Sequence, residues 1–340
     1  MSIKAVKEND LSTWVDSLIS EMPVIGVQAH QGRFNFKKLK AAGDLRLDYD
    51  TTVIPPKAVF QPPEETLLKF TQDGYESVMS DEAFVLMGVH PYDVTAIRQM
   101  DAIFRRDNCD AHYIRRRANA VIVAVDPQNA SEDVFAGQMG TSHVEEGYDI
   151  LLTKTGDEYV VDAQTKKGEA LAGKLKGREA GSEDLEARKQ IWAENREKLS
   201  GHELKAAPSS WPGLLENGYD HPVWEEKAEK CFSCGSCNLV CPTCYCFDVQ
   251  DDVNWDLKSG RRHRAWDGCM LTDFATVAGD HNFRGDRADR YRHRYYRKGS
   301  YVPDMIGGEI ACVGCGRCIK ACVAKIANPV EIFNRLQEGK

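Results

Sequence analysis

The placement of cysteine constrains this 340-residue chain more than any other feature. Eleven of the twelve cysteines follow residue 230, and only Cys109 precedes it. A secreted module held together by disulfides would be shorter and denser in cysteine. Here 42% of the residues are hydrophobic, which is enough to build a core without disulfides. We therefore expect a cysteine-poor domain over 1–225, a cysteine-rich domain over 226–340, and a role for the thiols other than crosslinking.

Two runs in the cysteine-rich part share the spacing C-x2-C-x2-C-x3-C. Their members are Cys231, Cys234, Cys237 and Cys241 in the first run, and Cys312, Cys315, Cys318 and Cys322 in the second. This spacing is typical of [4Fe-4S] ligands, and in two-cluster ferredoxins the last cysteine of each run binds the other cluster. We therefore predict two clusters with crossed ligands. The first is expected on Cys231, Cys234, Cys237 and Cys322, and the second on Cys312, Cys315, Cys318 and Cys241.

A glycine follows the second cysteine of each run, Gly235 in the first and Gly316 in the second. Glycine readily adopts positive φ, which would turn backbone N–H groups toward the sulfur atoms. Structural zinc is the competing interpretation, but it generally uses pairs of cysteines and leaves the fourth cysteine of each run unexplained. Arg317 and Lys320 lie inside the second run, where we expect their charge to raise the reduction potential of the second cluster.

Four cysteines lie outside these sets: Cys109, Cys244, Cys246 and Cys269. Their number suits a third cluster, whereas their irregular spacing favours packing, since free cysteine is among the most buried residue types. The sequence contains no G-x-G-x-x-G after a strand, no P-loop and no nucleophile paired with a base. We therefore assign no catalytic residue.

Residues 1–225 have the pattern of a mixed α/β domain, so the expected fold class is α+β. Apolar residues from Leu11 to Ile19 recur at helical spacing, with Asp10 as a candidate cap. Continuous apolar runs at 84–89 and 120–125 are typical of buried strands. We further expect a hairpin over 148–162, one or two solvated helices over 163–200 with Ser182 capping the second, and a linker over 207–222.

Seventy residues separate Cys241 from Cys312, far more than in small ferredoxins, so we expect a mainly helical two-cluster domain. The insert, at about 247–311, is basic. The segment from Lys258 to Lys298 contains eleven Lys and Arg but only five Asp. This segment could be a docking face for an acidic redox partner, an RNA-binding surface or a solvated face. The net charge of the whole chain is −8, which argues against general affinity for nucleic acid or anionic membranes.

No apolar stretch approaches the 18 or more residues of a membrane span, and no apolar segment follows the N-terminal lysines as in a secretory signal. We therefore expect a cytoplasmic protein in a compartment that keeps thiols reduced.

Several segments resemble a known family. These are VCPTCYCFDV (240–249), RRHRAWDGC (261–269), AGDHNFRGDRADRYRHRYYRK (278–298) and CVGCGRCIKAC (312–322). They resemble the iron-sulfur electron-transfer subunits of cytoplasmic sulfhydrogenase (NiFe hydrogenase beta subunit) and of anaerobic sulfite reductase. Heterodisulfide-reductase-linked complexes contain a similar subunit. The resemblance extends upstream through 55–70, 88–97 and 110–117, although Tyr92 stands where many relatives have cysteine.

The resemblance implies a non-catalytic subunit of a hetero-oligomeric oxidoreductase. Its two [4Fe-4S] clusters would relay electrons between a separate subunit that binds FAD and NAD(P) and a further iron-sulfur or catalytic subunit. The alternative function is a redox-sensing or nucleic-acid-binding iron-sulfur protein, which predicts salt-sensitive binding of nucleic acid.

Overall fold

The two continuous apolar runs form neighbouring parallel strands in the middle of a large mixed sheet. The computed structural model describes residues 2–339. The strands before residue 225 are β1 (Ser2–Lys7), β2 (Val24–His30), β3 (Arg33–Lys38), β4 (Glu64–Thr71), β5 (Gly74–Ser77), β6 (Phe84–Val89), β7 (Ala120–Val125), β8 (Ile150–Thr155), β9 (Glu158–Ala163) and β10 (Arg178–Glu179). Eight of them form one sheet in the order β10-β1-β9-β8-β7-β6-β2-β3. Every residue of β6 and β7 is buried, because helices cover both faces of this sheet.

The helices in this part of the chain are α1 (Glu8–Glu21), α2 (Lys57–Phe60), α3 (Pro91–Phe104), α4 (Ala111–Asn119), α5 (Lys166–Ala172), α6 (Ser182–Lys198), α7 (Trp211–Asn217) and α8 (Val223–Glu229). On one face, Trp14 and Leu18 of α1 pack with Leu171 of α5. On the other face, Ile97 of α3 and Tyr113 of α4 pack against β6 and β7. The α3 helix begins directly after β6, so its first turn lies at the carboxyl end of the central strands.

The elements after residue 230 are the helices α9 (Ser236–Leu239), α10 (Arg287–Tyr296), α11 (Val302–Met305), α12 (Arg317–Ala321) and α13 (Pro329–Glu338), and the strands β11 (Phe247–Val253), β12 (Gly260–Trp266), β13 (Thr276–Val277) and β14 (His281–Asn282). A π-helical turn, Arg297–Tyr301, joins α10 to α11. Two tryptophans before residue 225, Trp211 and Trp224, pack with Tyr295 of α10 and Phe333 of α13 in one core.

The structure confirms the α+β class and most of the expected elements. The α1 helix carries the predicted apolar face, β6 and β7 are the predicted buried strands, β8 and β9 form the predicted hairpin, and α5 and α6 lie within 163–200. Both predicted caps are wrong. The α1 helix begins at Glu8 and α6 at Ser182, which places Asp10 and Ser182 inside the first turns of their helices.

The expected linker over 207–222 is also wrong. It contains α7, whose first residue, Trp211, is fully buried. The indole ring of Trp211 stacks on the ring of Phe333 with centroids 3.6 Å apart and planes 10° apart. The proline and glycine residues that indicated a linker therefore surround a helix that packs into the core.

The insert is not mainly helical. Its first part, the β11–β12 hairpin, pairs with β4 to form a second sheet in the order β11-β12-β4-β5. Acidic residues of β11 lie opposite arginines of β12, with Asp251 beside Arg262 and Asp252 beside Arg261, and such oppositely charged cross-strand pairs stabilise a hairpin. This sheet joins segments from both sides of residue 225, so the strand pairing does not mark a boundary there. The domain boundary at 225 stays a prediction. Within residues 2–339, no helix is long and apolar enough to cross a bilayer.

Candidate metal centre

The first cysteine run begins in the loop between α8 and α9, which holds Cys231 and Cys234, and continues with Cys237 in α9 and Cys241 after it. Gly235 has a φ of +69° and caps α9, as its position in the sequence predicted. The backbone N–H of Ser233 donates to Sγ of Cys231 at 3.4 Å. A cavity at this loop, here called the first cavity, is lined by Cys231, Cys234, Cys237 and, from the second run, Cys322.

The second run repeats this local structure. Gly316 has a φ of +73° and caps α12, which packs against α9. Thr243 lies next to the last cysteine of the first run, with its Oγ1 3.4 Å from Sγ of Cys241. The second cavity is lined by Cys312, Cys315, Cys318 and, from the first run, Cys241. The structure therefore brings together each of the two predicted crossed sets.

The side chains that line each cavity are of the kind that holds a [4Fe-4S] cluster. Four thiols face each cavity, and the other walls are mainly apolar, including Met270 and Ile326 in the first and Phe135 and Trp211 in the second. All twelve cysteines are free thiols in the structure. In the part of the chain that the structure describes, no three His, Cys, Asp or Glu side chains are grouped closely enough to hold one metal ion.

The two cavities differ in their exposure to solvent. Cys234 of the first set is exposed, and Phe232 and Val323 at the edge of the first cavity are 73% and 76% exposed. The neighbouring Ser236 hydroxyl lowers the pKa of the Cys234 thiol. In the second set, Cys241, Cys315 and Cys318 are buried, and burial raises the pKa of Cys315 to about 12. Only the first cavity therefore has an exposed cysteine.

Buried cations lie against the second cavity. Arg294 of α10 and Lys298 of the π-helical turn both line it, and they are 2% and 6% exposed. Nζ of Lys298 donates to Oγ1 of Thr243 at 2.6 Å. Burial lowers the pKa of Lys298, electrostatic interaction with Cys241 and Cys244 raises it, and the net pKa lies above its usual value. Lys298 is therefore charged at neutral pH.

The cations expected from the sequence have other partners. Arg317 forms a two-pronged ion pair with Asp93 in the first turn of α3, at 2.7 and 2.6 Å. Both side chains are fully buried, and Arg317 also donates to the Thr52 carbonyl at 2.9 Å. Lys320 is exposed and pairs with Asp50 at 3.3 Å. Because the carboxylate neutralises most of the Arg317 charge, its expected effect on the second cluster is weakened.

From the sequence, Arg294 and Lys298 are predicted only as members of the basic insert. Neither is singled out as a residue beside a cluster. A signal for them exists in the sequence: Arg290, Arg294 and Lys298 recur every four residues beside tyrosines, as on one face of a buried helix.

The N-terminal part of the chain contacts the second run directly. Backbone N–H of Phe135 donates to the carbonyl of Gly314 at 2.8 Å, and Thr141 Oγ1 donates to the carbonyl of Val313 at 2.8 Å. A Cβ atom on Gly316 would lie only 2.3 Å from the carbonyl oxygen of Asp133. The second cavity therefore depends on residues on both sides of the expected boundary.

The four remaining cysteines do not form one site. Cys109 is exposed near the end of α3. Cys244 and Cys269 lie together, with both Sγ atoms 3.5 Å from Nδ2 of Asn238. Burial raises the pKa of Cys246 to about 11, so this thiol is protonated at neutral pH. These contacts are those of packed thiols.

Most cations of the basic insert do not form a free surface. Arg264, Arg290, Arg294 and Lys298 are buried. Carboxylates pair with Arg261, Arg262, Arg264 and Arg292. The expected basic docking face is therefore wrong for most of the residues that suggested it.

Comparison with known proteins points to the same region. The family model "4Fe-4S dicluster domain" matches residues 230–326. The chain is 34% identical over 325 residues to sulfhydrogenase 2 subunit beta of Pyrococcus furiosus, a match that covers 93% of this chain and 92% of that protein. No solved structure matches the chain.

Proposed function

Because the chain belongs to the family of sulfhydrogenase beta subunits, we propose that it relays single electrons through two [4Fe-4S] clusters within a hetero-oligomeric oxidoreductase. The chain itself is an iron-sulfur electron-transfer subunit, and we assign it no catalytic residue. The proposed ligands are Cys231, Cys234, Cys237 and Cys322 for the first cluster, and Cys312, Cys315, Cys318 and Cys241 for the second. The observation that carries this proposal is the presence of two cavities, each lined by four cysteines drawn from both runs.

A [4Fe-4S] cluster, when bound, accepts and releases one electron at a time. The protein contributes thiol ligands, N–H donors to sulfur such as that of Ser233, and buried charge beside the second cavity. Burial also excludes water from the second set, whereas the exposed Cys234 gives the first set an edge at the surface.

The two cavities adjoin each other. Cys237 and Cys322 of the first set pack with Cys312 and Cys318 of the second set around Phe135. Two redox groups held so close, one at the surface and one inside, suit stepwise passage of electrons across the chain.

We assign FAD and NAD(P) to a partner subunit, since the sequence contains no Gly-rich dinucleotide motif. The partners in this proposal are that flavin-binding subunit, together with a further iron-sulfur or catalytic subunit, and residues 1–225 are the main docking body. The pairing of Arg261 and Arg262 with acidic neighbours argues against the nucleic-acid-binding alternative, which needs an unpaired basic surface.

The test uses the purified complex under anaerobic conditions. NAD(P)H is expected to bleach the cluster absorbance of the complex, and to leave the isolated chain oxidised until its flavin-binding subunit is added. The matched control is the complex carrying Cys234→Ser, in which bleaching should fall while flavin reduction persists. A chain that holds zinc instead of iron, or clusters that the flavin-binding subunit does not reduce, would contradict the proposal.

A further inference from the structure

Arg294 is a buried cation that contacts both cysteine sets. One of its guanidinium nitrogens donates to the backbone carbonyl of Cys237, in the first set, at 3.2 Å. The same side chain lines the second cavity beside Cys318. Cys237 lines the first cavity, so Arg294 lines the second cavity and contacts a residue of the first.

The guanidinium group of Arg294 lies close to cysteine side chains of both sets. It interacts electrostatically with Cys237 of the first set and Cys318 of the second, and an arginine guanidinium stays charged when it is buried. Within residues 2–339, its buried Nε has no hydrogen-bond partner. Arg317 differs, because its charge is taken up by Asp93.

Lys298 provides an internal comparison. It lines the second cavity and donates to Thr243, which in turn lies beside Cys241. Among the described residues neither cation lines the first cavity, but Arg294 donates to Cys237 of the first set, whereas the hydrogen bond of Lys298 goes to Thr243 beside the second set. One buried cation therefore faces both sets and another faces only the second.

We propose that Arg294 raises the reduction potentials of both clusters together, whereas Lys298 raises only that of the second. This proposal rests on the proposed function, since it assumes a cluster in each cavity. A reduced cluster carries one more negative charge than an oxidised one, so a cation close to cysteines of both sets stabilises the reduced form of either cluster. Arg294 acts here as a tuning residue and is not a ligand.

The experiment is an anaerobic redox titration of the full chain, followed by the paramagnetic signals of the reduced clusters. In Arg294→Gln, both midpoint potentials are expected to fall. At a fixed solution potential, the ratio of reduced to oxidised cluster should drop about tenfold at each site, which corresponds to about 59 mV for a one-electron couple. In Lys298→Met, the fall should be confined to the second cluster.

Arg294→Lys retains the charge on a shorter side chain without the planar fork. We expect both potentials in this variant to fall less than in Arg294→Gln. If Arg294→Gln loses iron, the neutral variant Arg294→Met decides instead: a fall at both clusters supports the proposal, and an unchanged potential at either cluster overturns it.

The outcome also separates this proposal from the proposed function. Absence of iron-sulfur signals in the wild-type chain would overturn both. Two intact clusters of which Arg294→Gln shifts only one, or neither, would overturn the shared role of Arg294 and leave the electron-transfer proposal standing.

Discussion

The two cavities are built from the same local motif and placed in opposite surroundings. In each, a glycine of positive φ, Gly235 or Gly316, precedes a short helix, and a fourth cysteine arrives from the other run. The first cavity reaches the surface through Cys234 and is rimmed by exposed apolar side chains. The second is enclosed by Arg294, Lys298, Phe135 and Trp211.

This difference teaches that ligand chemistry and electronic environment come from different parts of the chain. Short-range sequence determines where the sulfur atoms lie. Residues far away in sequence, including Phe135 and the Asp93 partner of Arg317, determine how the second set is buried and which charges surround it. Mutations can therefore act on one cavity and spare the other.

The largest expected effect comes from removing a crossed cysteine. Cys241→Ser should abolish the second cluster and Cys322→Ser the first, so each variant should retain about half of the iron, because each cluster draws one ligand from the other run. Iron analysis and the paramagnetic signals of the reduced variants provide the measurement.

Cys109→Ser is the matched control for both variants. Cys109 is exposed and lines neither cavity, so the iron content of this variant should equal that of the wild type. If Cys241→Ser removed the surface cluster instead, the crossed assignment would be wrong.

The next largest effect concerns the ion pair that joins the second run to α3. Asp93→Ala would leave Arg317 buried without its counter-charge and should cost about 3–5 kcal/mol in the free energy of unfolding. Asp50→Ala removes the partner of the exposed Lys320 and should cost about 0–1 kcal/mol. Anaerobic denaturant titration of the two variants measures the difference, and equal costs would show that burial does not govern these pairs.

Trp211→Ala tests whether α7 is core or linker. Loss of the buried indole ring that stacks on Phe333 should cost about 3 kcal/mol or more. Trp255 in the β11–β12 turn is fully exposed and serves as the control, since Trp255→Ala should change stability by less than about 0.5 kcal/mol. Thermal unfolding of both variants would measure the contrast, and a small effect at Trp211 would restore the interpretation of 207–222 as a linker.

The smallest expected effect distinguishes the cavities in the intact wild-type chain. An oxidant or an iron chelator should attack the first cluster several-fold faster than the second, because Cys234 is exposed and the second set is buried. Following the two paramagnetic signals during exposure measures both rates in one sample. Equal rates, or faster loss of the second signal, would contradict the claim that the first cavity is the more exposed of the two.

The sequence predicted the features that depend on neighbouring residues. The spacing of the cysteines, the glycine conformations, the buried strands β6 and β7 and the β8–β9 hairpin were all visible in short windows. The two cysteine sets that line the cavities also follow from spacing, once the crossing of ferredoxin ligands is taken into account.

The sequence did not predict the features that depend on tertiary partners. The β11–β12 hairpin has polar strands that are stabilised by pairing with β4, about 190 residues earlier in the chain. Arg317 looked like a free cation because Asp93 lies more than 200 residues away. Proline and glycine in 207–222 indicated a linker, whereas the burial of Trp211 depends on α13 at the other end of the chain.

The most direct test of the central claim is the metal content and electronic state of the anaerobically purified chain. Two crossed sets of four cysteines predict about eight iron and eight sulfide per chain. On reduction, two paramagnetic centres should interact, since the cavities adjoin. A chain that binds zinc, or only four irons in a single non-interacting centre, would contradict the account.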